Sequence, residues 1–286
     1  MPRDIARDAL YSGRINVWFE DELTRVYLGA VWNDPAVKIL IGGGHDGVAA
    51  ILKDAEHAGY RNVFGVADRD FGRSNYPDWL VPGRTFRRFV LPRHEIENYL
   101  LDTPALEGCR FNTHGKTAAD IDAILDAEAA KLCWWSACRQ VVSHVRDRFF
   151  DAFITHPKVP DVATSSAARD HIVQSDWFRA LPRKATSITE ARIERLLTRA
   201  HVGALSMRED GSWRTEFSGK EIFRVIGNRI FNRTAAPSYQ PSTTEFDADL
   251  AKEIASWQVA KRSIPAELIE LLAAMKARIV SPPPAA

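Results

Sequence analysis

Cysteine is scarce in this chain. Cys109, Cys133 and Cys138 are the only three in 286 residues, an odd and sparse set that argues for a reducing compartment rather than a disulfide framework. Cys133 and Cys138 have His144 nearby but not the spacing of a zinc ribbon. Beside Trp134 and Trp135 they read as buried thiols. Long apolar runs are missing too. No stretch approaches the ~18 apolar residues of a membrane span, and the opening Met-Pro-Arg-Asp-Ile-Ala-Arg-Asp lacks the apolar core of a signal peptide. A cytoplasmic protein with no membrane partner is expected. Nor is there an excess of charge of one sign. With a net charge of +1, any phosphate-binding face must come from locally clustered arginines. What is plentiful is ordinary core material. A hydrophobic content of 45% is that of a soluble globular protein with room for one large domain or two small ones.

The chain is organised around Asn62 to Phe71, Asn-Val-Phe-Gly-Val-Ala-Asp-Arg-Asp-Phe. Val63 to Ala67 is an apolar run of strand length, with Gly59 and Asn62 before it and Gly72 after it. It ends in Asp68 and Asp70. Side chains two apart on an extended chain point the same way, so both carboxylates are expected on one side of the strand's carboxyl end. Carboxylates held that close repel unless a proton or a cation sits between them. Magnesium suits such a place, because it takes oxygen ligands and usually only one or two carboxylates. An isolated Asp-x-Asp would be read as two solvated acids; the surroundings change that reading.

Ile15 to Phe19 is a similar apolar run ending at Glu20, and Asp21 to Trp32 then has a helical face of Leu23, Val26, Tyr27 and Ala30. Val37 to Ile41 is a third run, followed by Gly42, Gly43 and Gly44. Asp46 opens a helix that Gly59 closes. Strand, helix, strand, helix, strand at these intervals predicts an α/β fold with a parallel sheet. Sites in such sheets collect at the carboxyl ends of strands, where Glu20, the glycines, Asp68 and Asp70 all fall. Arg84 to Leu91 reads as a further strand stopped by Pro92, rich in arginine, with Arg93 just beyond. His94 to Leu101 reads as a helix start. Glu95 and Glu97 would diverge on a helix, so one is expected at the site, and Glu97 is the choice.

The character changes after Asp102. Ala118 to Cys133, Trp134 to Ile154, Ile188 to Ala200, Gly219 to Phe231, Thr244 to Val259 and Pro265 to Ile279 read as helices. Ser187, Ser218 and Ser242, each followed three positions later by glutamate, fit the capping-box pattern. Thr155 to Ser166 and Ala235 to Thr244 are loop-like. The expected organisation is a catalytic domain over residues 1–105, a mainly helical domain over 106–280 and a disordered tail over 281–286. Gly219-Lys220 at a helix start offers backbone amides and an ammonium to an anion, though the sequence is not a P-loop. Arg224 lies in the same segment.

These residues together resemble the Toprim fold, the metal-dependent catalytic module of topoisomerases, primases and OLD-type nucleases. Its hallmark is a glutamate after the first strand and an Asp-x-Asp after a later one, here Glu20 and Asp68/Asp70. More narrowly, Gly42-Gly43-Gly44-His45-Asp46, Asp68-Arg69-Asp70-Phe71, Glu95-Ile96-Glu97-Asn98-Tyr99-Leu100 and Gly219-Lys220-Glu221 resemble a Toprim-like family of unknown function from bacterial phage-defence operons. The nuclease subunits of PARIS-type systems are members. The chain departs from the Toprim pattern at Asp21, where a glycine is usual.

The resemblance implies Mg2+- or Mn2+-dependent phosphodiester cleavage in DNA or RNA, tRNA included. Asp68, Asp70 and Glu97 would hold one metal or two, and Glu20 would ligate metal or act as general base. Lys220 would offset charge on the phosphate, and Arg87, Arg88, Arg93 and Arg224 would bind the nucleic-acid backbone. An ABC-type ATPase partner and a homodimer are implied as well. The alternative expectation is a Toprim-like module of weak or no activity that docks on a partner ATPase. A phosphatase-like enzyme of small phosphoesters stands third.

Overall fold

The computed structural model describes residues 11, 14–69, 71, 88–149, 157–179, 188–231 and 243–280. Strands β1 (Ile15–Phe19), β2 (Val37–Ile41), β3 (Val63–Ala67) and β4 (Arg88–Val90) form one four-stranded sheet in the order β2-β1-β3-β4. All three pairings are parallel. The first three strands coincide with the three apolar runs, because β1 and β3 are covered on both faces and need apolar residues throughout. Helix α1 (Glu22–Trp32) follows β1, and α2 (His45–His57) follows β2.

The two faces are buried by different partners, as the two-residue alternation of a strand requires. Val17, Phe19, Phe64 and Val66 join Tyr27, Leu28 and Val31 of α1 in the main core. On the other face Val63 packs with Val48, Leu52 and Ala55 of α2, with Trp18 and Tyr60 at the edge. The main core continues without a break from Ile15 to Met275.

Past β4 the chain makes a 3-10 turn (Ile96–Tyr99), and its described elements thereafter are helical. The helices are α3 (Thr103–Glu107), α4 (Ala118–Lys131), α5 (Cys133–Phe149), α6 (Ser165–Val173), α7 (Asp176–Arg179), α8 (Glu190–Glu209), α9 (Trp213–Glu216), α10 (Gly219–Arg229), α11 (Thr243–Lys261) and α12 (Ala266–Val280). The fold is thus α/β, with a parallel sheet flanked by helices and a helical C-terminal part. That part closes back on the sheet. Helix α11 packs along α1, the Tyr27 hydroxyl donates to Gln258 Oε1 at 2.7 Å, and Trp32 Nε1 donates to the Leu268 carbonyl at 3.0 Å.

Several boundaries differ from the sequence reading. Helix α8 starts at Glu190 with Thr189 as its cap, the hydroxyl accepting from Arg192 N–H at 3.2 Å; Ser187 lies outside the described residues, as does Ser242. The helix also runs on to Glu209, because Ala204 continues the buried face of Ile193 and Leu197. Within the segment read as a loop, Val159–Val162 forms a 3-10 turn and α6 begins at Ser165, capped by Thr164. Helices α3, α7 and α9 are too short to carry a readable period. The expected tail, 281–286, lies outside the described residues. All three cysteines are free and buried; burial was expected for Cys133 and Cys138. Among the described residues no helix is long and apolar enough to cross a membrane.

Candidate active site at the carboxyl ends of the strands

The sheet order places a topological switch between β1 and β3. From β1 the chain moves outward to β2, then returns to the opposite side of β1 for β3. Crossovers leave such a pair in opposite directions, so a crevice opens at their carboxyl ends. Glu20 directly follows β1 and Asp68 directly follows β3.

The backbone around Glu20 is held from two sides. Gly42 N–H donates to the Phe19 carbonyl at 2.7 Å, and Gly44 N–H donates to the Glu20 carbonyl at 3.0 Å. This turn needs φ of 78° at Gly43 and 94° at Gly44, a region that side-chain-bearing residues rarely adopt. On the other side Asp21 caps α1, its Oδ1 accepting from Thr24 N–H at 2.8 Å. Asp21 has an extended backbone (φ −142°, ψ 172°), so no glycine is required there. The departure from the Toprim pattern is a helix cap.

Around Asp68 carboxylates predominate. Burial raises its carboxyl well above the ordinary range, and the nearby carboxylates of Glu97, Asp21, Glu95 and Glu20 raise it further. Glu97 is buried, 6% exposed. Burial, and then the charge of Glu95, push its carboxyl up to about 7. Lys220 provides the counter-charge. Burial works against its ammonium, but Glu97, Glu95, Asp21 and Asp68 together outweigh that and raise its pKa.

The elements that gather these groups come from distant parts of the chain. Glu95 is extended (φ −144°, ψ 168°) and stands just before the 3-10 turn that carries Glu97. Its carboxylate accepts from Ser218 Oγ at 2.9 Å and from Lys220 N–H at 2.8 Å, capping α10 from outside. Asn98, 1% exposed, ties the same two segments together. Its Oδ1 accepts from Glu95 N–H at 2.8 Å, and its Nδ2 donates to the carbonyls of Arg214 at 2.9 Å and Phe217 at 3.0 Å. Truncation would strand a buried donor and two buried acceptors. Asn98→Ala is therefore expected to cost about 3 kcal/mol, read as a lower denaturation midpoint, and to weaken the site with it.

Both glutamates thus take part, against the expectation that one would turn away. That expectation assumed a helix through both, whereas only Glu97 lies within the turn. Glu95 is one residue that sequence reasoning passed over. Arg69 is another: its guanidinium donates to Glu216 Oε2 at 2.7 Å and to the Thr215 carbonyl at 3.1 Å, tying the loop after β3 to α9. Behind it His94 is buried and neutral, its imidazole pushed down to about 3 by burial and by Arg69 and Arg139. Its ring packs edge-on to Phe71 at 4.2 Å. The Arg139 guanidinium lies over both Phe71 and Trp135, at 5.1 and 5.2 Å. Nothing local marks Glu95 or Arg69, which act across a long sequence separation.

Asp70 and Arg87 lie outside the described residues. Arg88 is half-buried in β4. Arg93 is held by Glu267 at 3.0 Å and the Asn98 carbonyl at 3.3 Å, and stacks over Tyr99 at 4.3 Å. It would have to leave those partners to track a nucleic-acid backbone. Arg224 is exposed on α10, 3.4 Å from Glu221. Among the described residues no three His, Cys, Asp or Glu side chains converge closely enough to hold a metal ion. The donor set is nonetheless all oxygen, and its carboxylates repel one another. Mg2+ and Mn2+ suit an open arrangement of that kind, since Mg2+ usually keeps several waters beside one or two carboxylates.

Comparison of the chain with protein-family models and with curated proteins finds no match in either.

Proposed function

We propose that this protein is a Toprim-type nuclease that uses Mg2+ or Mn2+ to cleave phosphodiester bonds in DNA or RNA, tRNA included. The observation that supports this best is the accumulation of Asp68, Glu97, Glu95, Asp21 and Glu20 at the β1/β3 crevice, with Lys220 beside them. Asp68 and Glu97 are the metal-holding residues in this reading, with Glu20 as a further ligand or the general base and Asp70 completing the pair. A bound divalent ion would neutralise charge on the scissile phosphate and lower the pKa of an attacking water.

The chain's own groups do the rest. In this reading Glu20, whose backbone is held by the glycine turn and the Asp21 cap, would accept the proton of that water. The ammonium of Lys220, whose pKa the carboxylates of Glu97, Glu95, Asp21 and Asp68 raise, would in the same reading offset charge on an incoming phosphate. Glu95 anchors Lys220 through its backbone amide, so it is a positioning residue. The resemblance that brings this activity also brings an ABC-type ATPase partner and pairing of two copies, and both belong to the proposal.

The test is cleavage of plasmid DNA and of bulk tRNA by purified protein in Mg2+, Mn2+ and EDTA, beside Asp68→Asn and Glu20→Gln. Metal-dependent cleavage, lost at least a hundredfold in both variants, is expected. Cleavage that persists in EDTA, or at the wild-type rate in Asp68→Asn, contradicts the proposal.

A further inference from the structure

Helix α8 separates its charges by face. Ile193, Leu197 and Ala204 are its buried side. On one flank of its solvent side, Glu190 and Glu194 are both taken by Arg169, at 2.7 Å each. On the other flank stand Arg192, Arg195 and Arg199, spaced i, i+3 and i+7 and so aligned along the helix. Arg195 and Arg199 are exposed and Arg192 is half-buried. Among the described residues none of the three forms an ion pair. Arg195 Nε only donates to the Ala191 carbonyl at 3.4 Å.

This arrangement does nothing for the helix itself. Arg192 lies in the first turn and Arg195 in the second, where the positive end of the macrodipole opposes a cation. The helix's acids, which would suit that end, are occupied by another element. What remains is a stripe of three guanidinium groups about 10 Å long at 1.5 Å of rise per residue. One strand of B-form duplex carries a phosphate about every 3.4 Å, so three fall within that length. The helix then leads through Gly211 into α9, whose Thr215 and Glu216 hold Arg69 beside Asp68.

We infer that Arg192, Arg195 and Arg199 form a phosphate-tracking surface for nucleic acid, outside the crevice and separate from the arginines near β4. The inference rests on the nuclease reading for its choice of partner. Guanidinium groups at this spacing fix position and not sequence, since phosphates carry no base information. The surface therefore sets affinity and its salt dependence.

Fluorescence anisotropy in EDTA, where no cleavage intervenes, tests it with a 20-base-pair DNA duplex and with bulk tRNA. Arg192→Gln/Arg195→Gln/Arg199→Gln is compared with wild type and with Lys53→Gln/Lys252→Gln/Lys261→Gln, which removes equal charge from exposed positions on other helices. The arginine variant is expected to bind at least one probe about tenfold more weakly at physiological salt. Its slope of log affinity against log salt should fall by about 2 to 3, while the lysine variant stays near wild type. Unchanged affinity and slope in the arginine variant overturn the inference, leave the nuclease reading standing and make an acidic protein surface the better partner. Equal losses in both variants also overturn it, since the effect is then one of net charge. Wild-type protein that binds neither probe overturns both. Stripe-dependent binding by a protein that cleaves nothing in Mg2+ or Mn2+ supports the stripe and overturns the nuclease reading alone.

Discussion

Asp68→Asn protein is expected to melt about 2–5 °C higher than wild type at pH 8 in EDTA, while losing its activity. The sign follows from the cluster. The folded-state pKa of Asp68 lies well above 3.8, mainly through burial and then through Glu97 and its neighbours. Between the two values the native state holds more protons than the unfolded chain, so stability falls as pH rises through that window. Asparagine keeps the shape and carries no charge, which removes the penalty. The gain should therefore be largest at alkaline pH and fade toward pH 4. Glu97 adds a second penalty of the same sign between its ordinary 4.5 and about 7. Stabilisation on replacing a native carboxylate by its neutral isostere is unusual, so the result is discriminating. An Asp68→Asn protein less stable than wild type at pH 8 in EDTA would mean that Asp68 is not held among repelling carboxylates.

Gly219→Ala should act in the opposite direction to helix propensity. Replacing glycine by alanine within a helix ordinarily gains up to about 1 kcal/mol. At Gly219 the added Cβ would lie 2.5 Å from the Asn98 backbone nitrogen and 2.7 Å from its Oδ1. Neither atom has freedom to move, because Asn98 is buried and its amide is engaged on both sides. Helix α10 must then back away from the 3-10 turn, which loosens the Glu95 cap and displaces Lys220. A loss of about 1–3 kcal/mol is expected from the overpacking, with a matching fall in metal-dependent cleavage. Gly203 is the internal control. It is also helical, and an added Cβ there meets nothing within 4 Å, so Gly203→Ala should be neutral or stabilising. Chemical denaturation of the two variants side by side reads the contrast. If Gly219→Ala is as stable as Gly203→Ala, the close docking of α10 on Asn98 is wrong.

The sheet was legible because its two central strands, β1 and β3, are buried on both faces, and β2 beside them is a half-buried apolar run. Ile15 to Phe19, Val37 to Ile41 and Val63 to Ala67 stand out as short apolar runs between turn residues, and the helices between them make the parallel topology the simple choice. Glu20 and Asp68 follow from that topology alone, since each is the next residue after its strand. The opposite side of the site was less legible. Gly219-Lys220 reads as an anion-binding helix start, yet the acceptor that meets the Lys220 amide is Glu95, far back in the sequence. No local period encodes such a pairing. Nothing in the sequence around Asn98 signals that its side chain fastens the two halves together. The short helices α3, α7 and α9 escaped for a related reason: tertiary contacts such as Arg69 with Thr215 and Glu216 stabilise α9, and four residues show no amphipathic pattern.

The continuous core has a consequence for how the site is built. Asp68 and Glu20 belong to the sheet, while Lys220 belongs to a helix that reaches them only because the helical part folds back along α1. In the proposed reading the helical part is thereby a component of the site.

The most direct test of the account is isothermal titration of Mn2+ into the protein at pH 7 in buffers of different ionisation enthalpy, for wild type and Asp68→Asn. Glu97, with its carboxyl near 7, must give up its fractional proton to take part in holding a cation. Saturable binding is expected, with proton release that reveals itself as a buffer-dependent enthalpy, and a loss of at least tenfold in affinity in the variant. Binding that is absent in wild type, or equal in Asp68→Asn and independent of buffer, would contradict it.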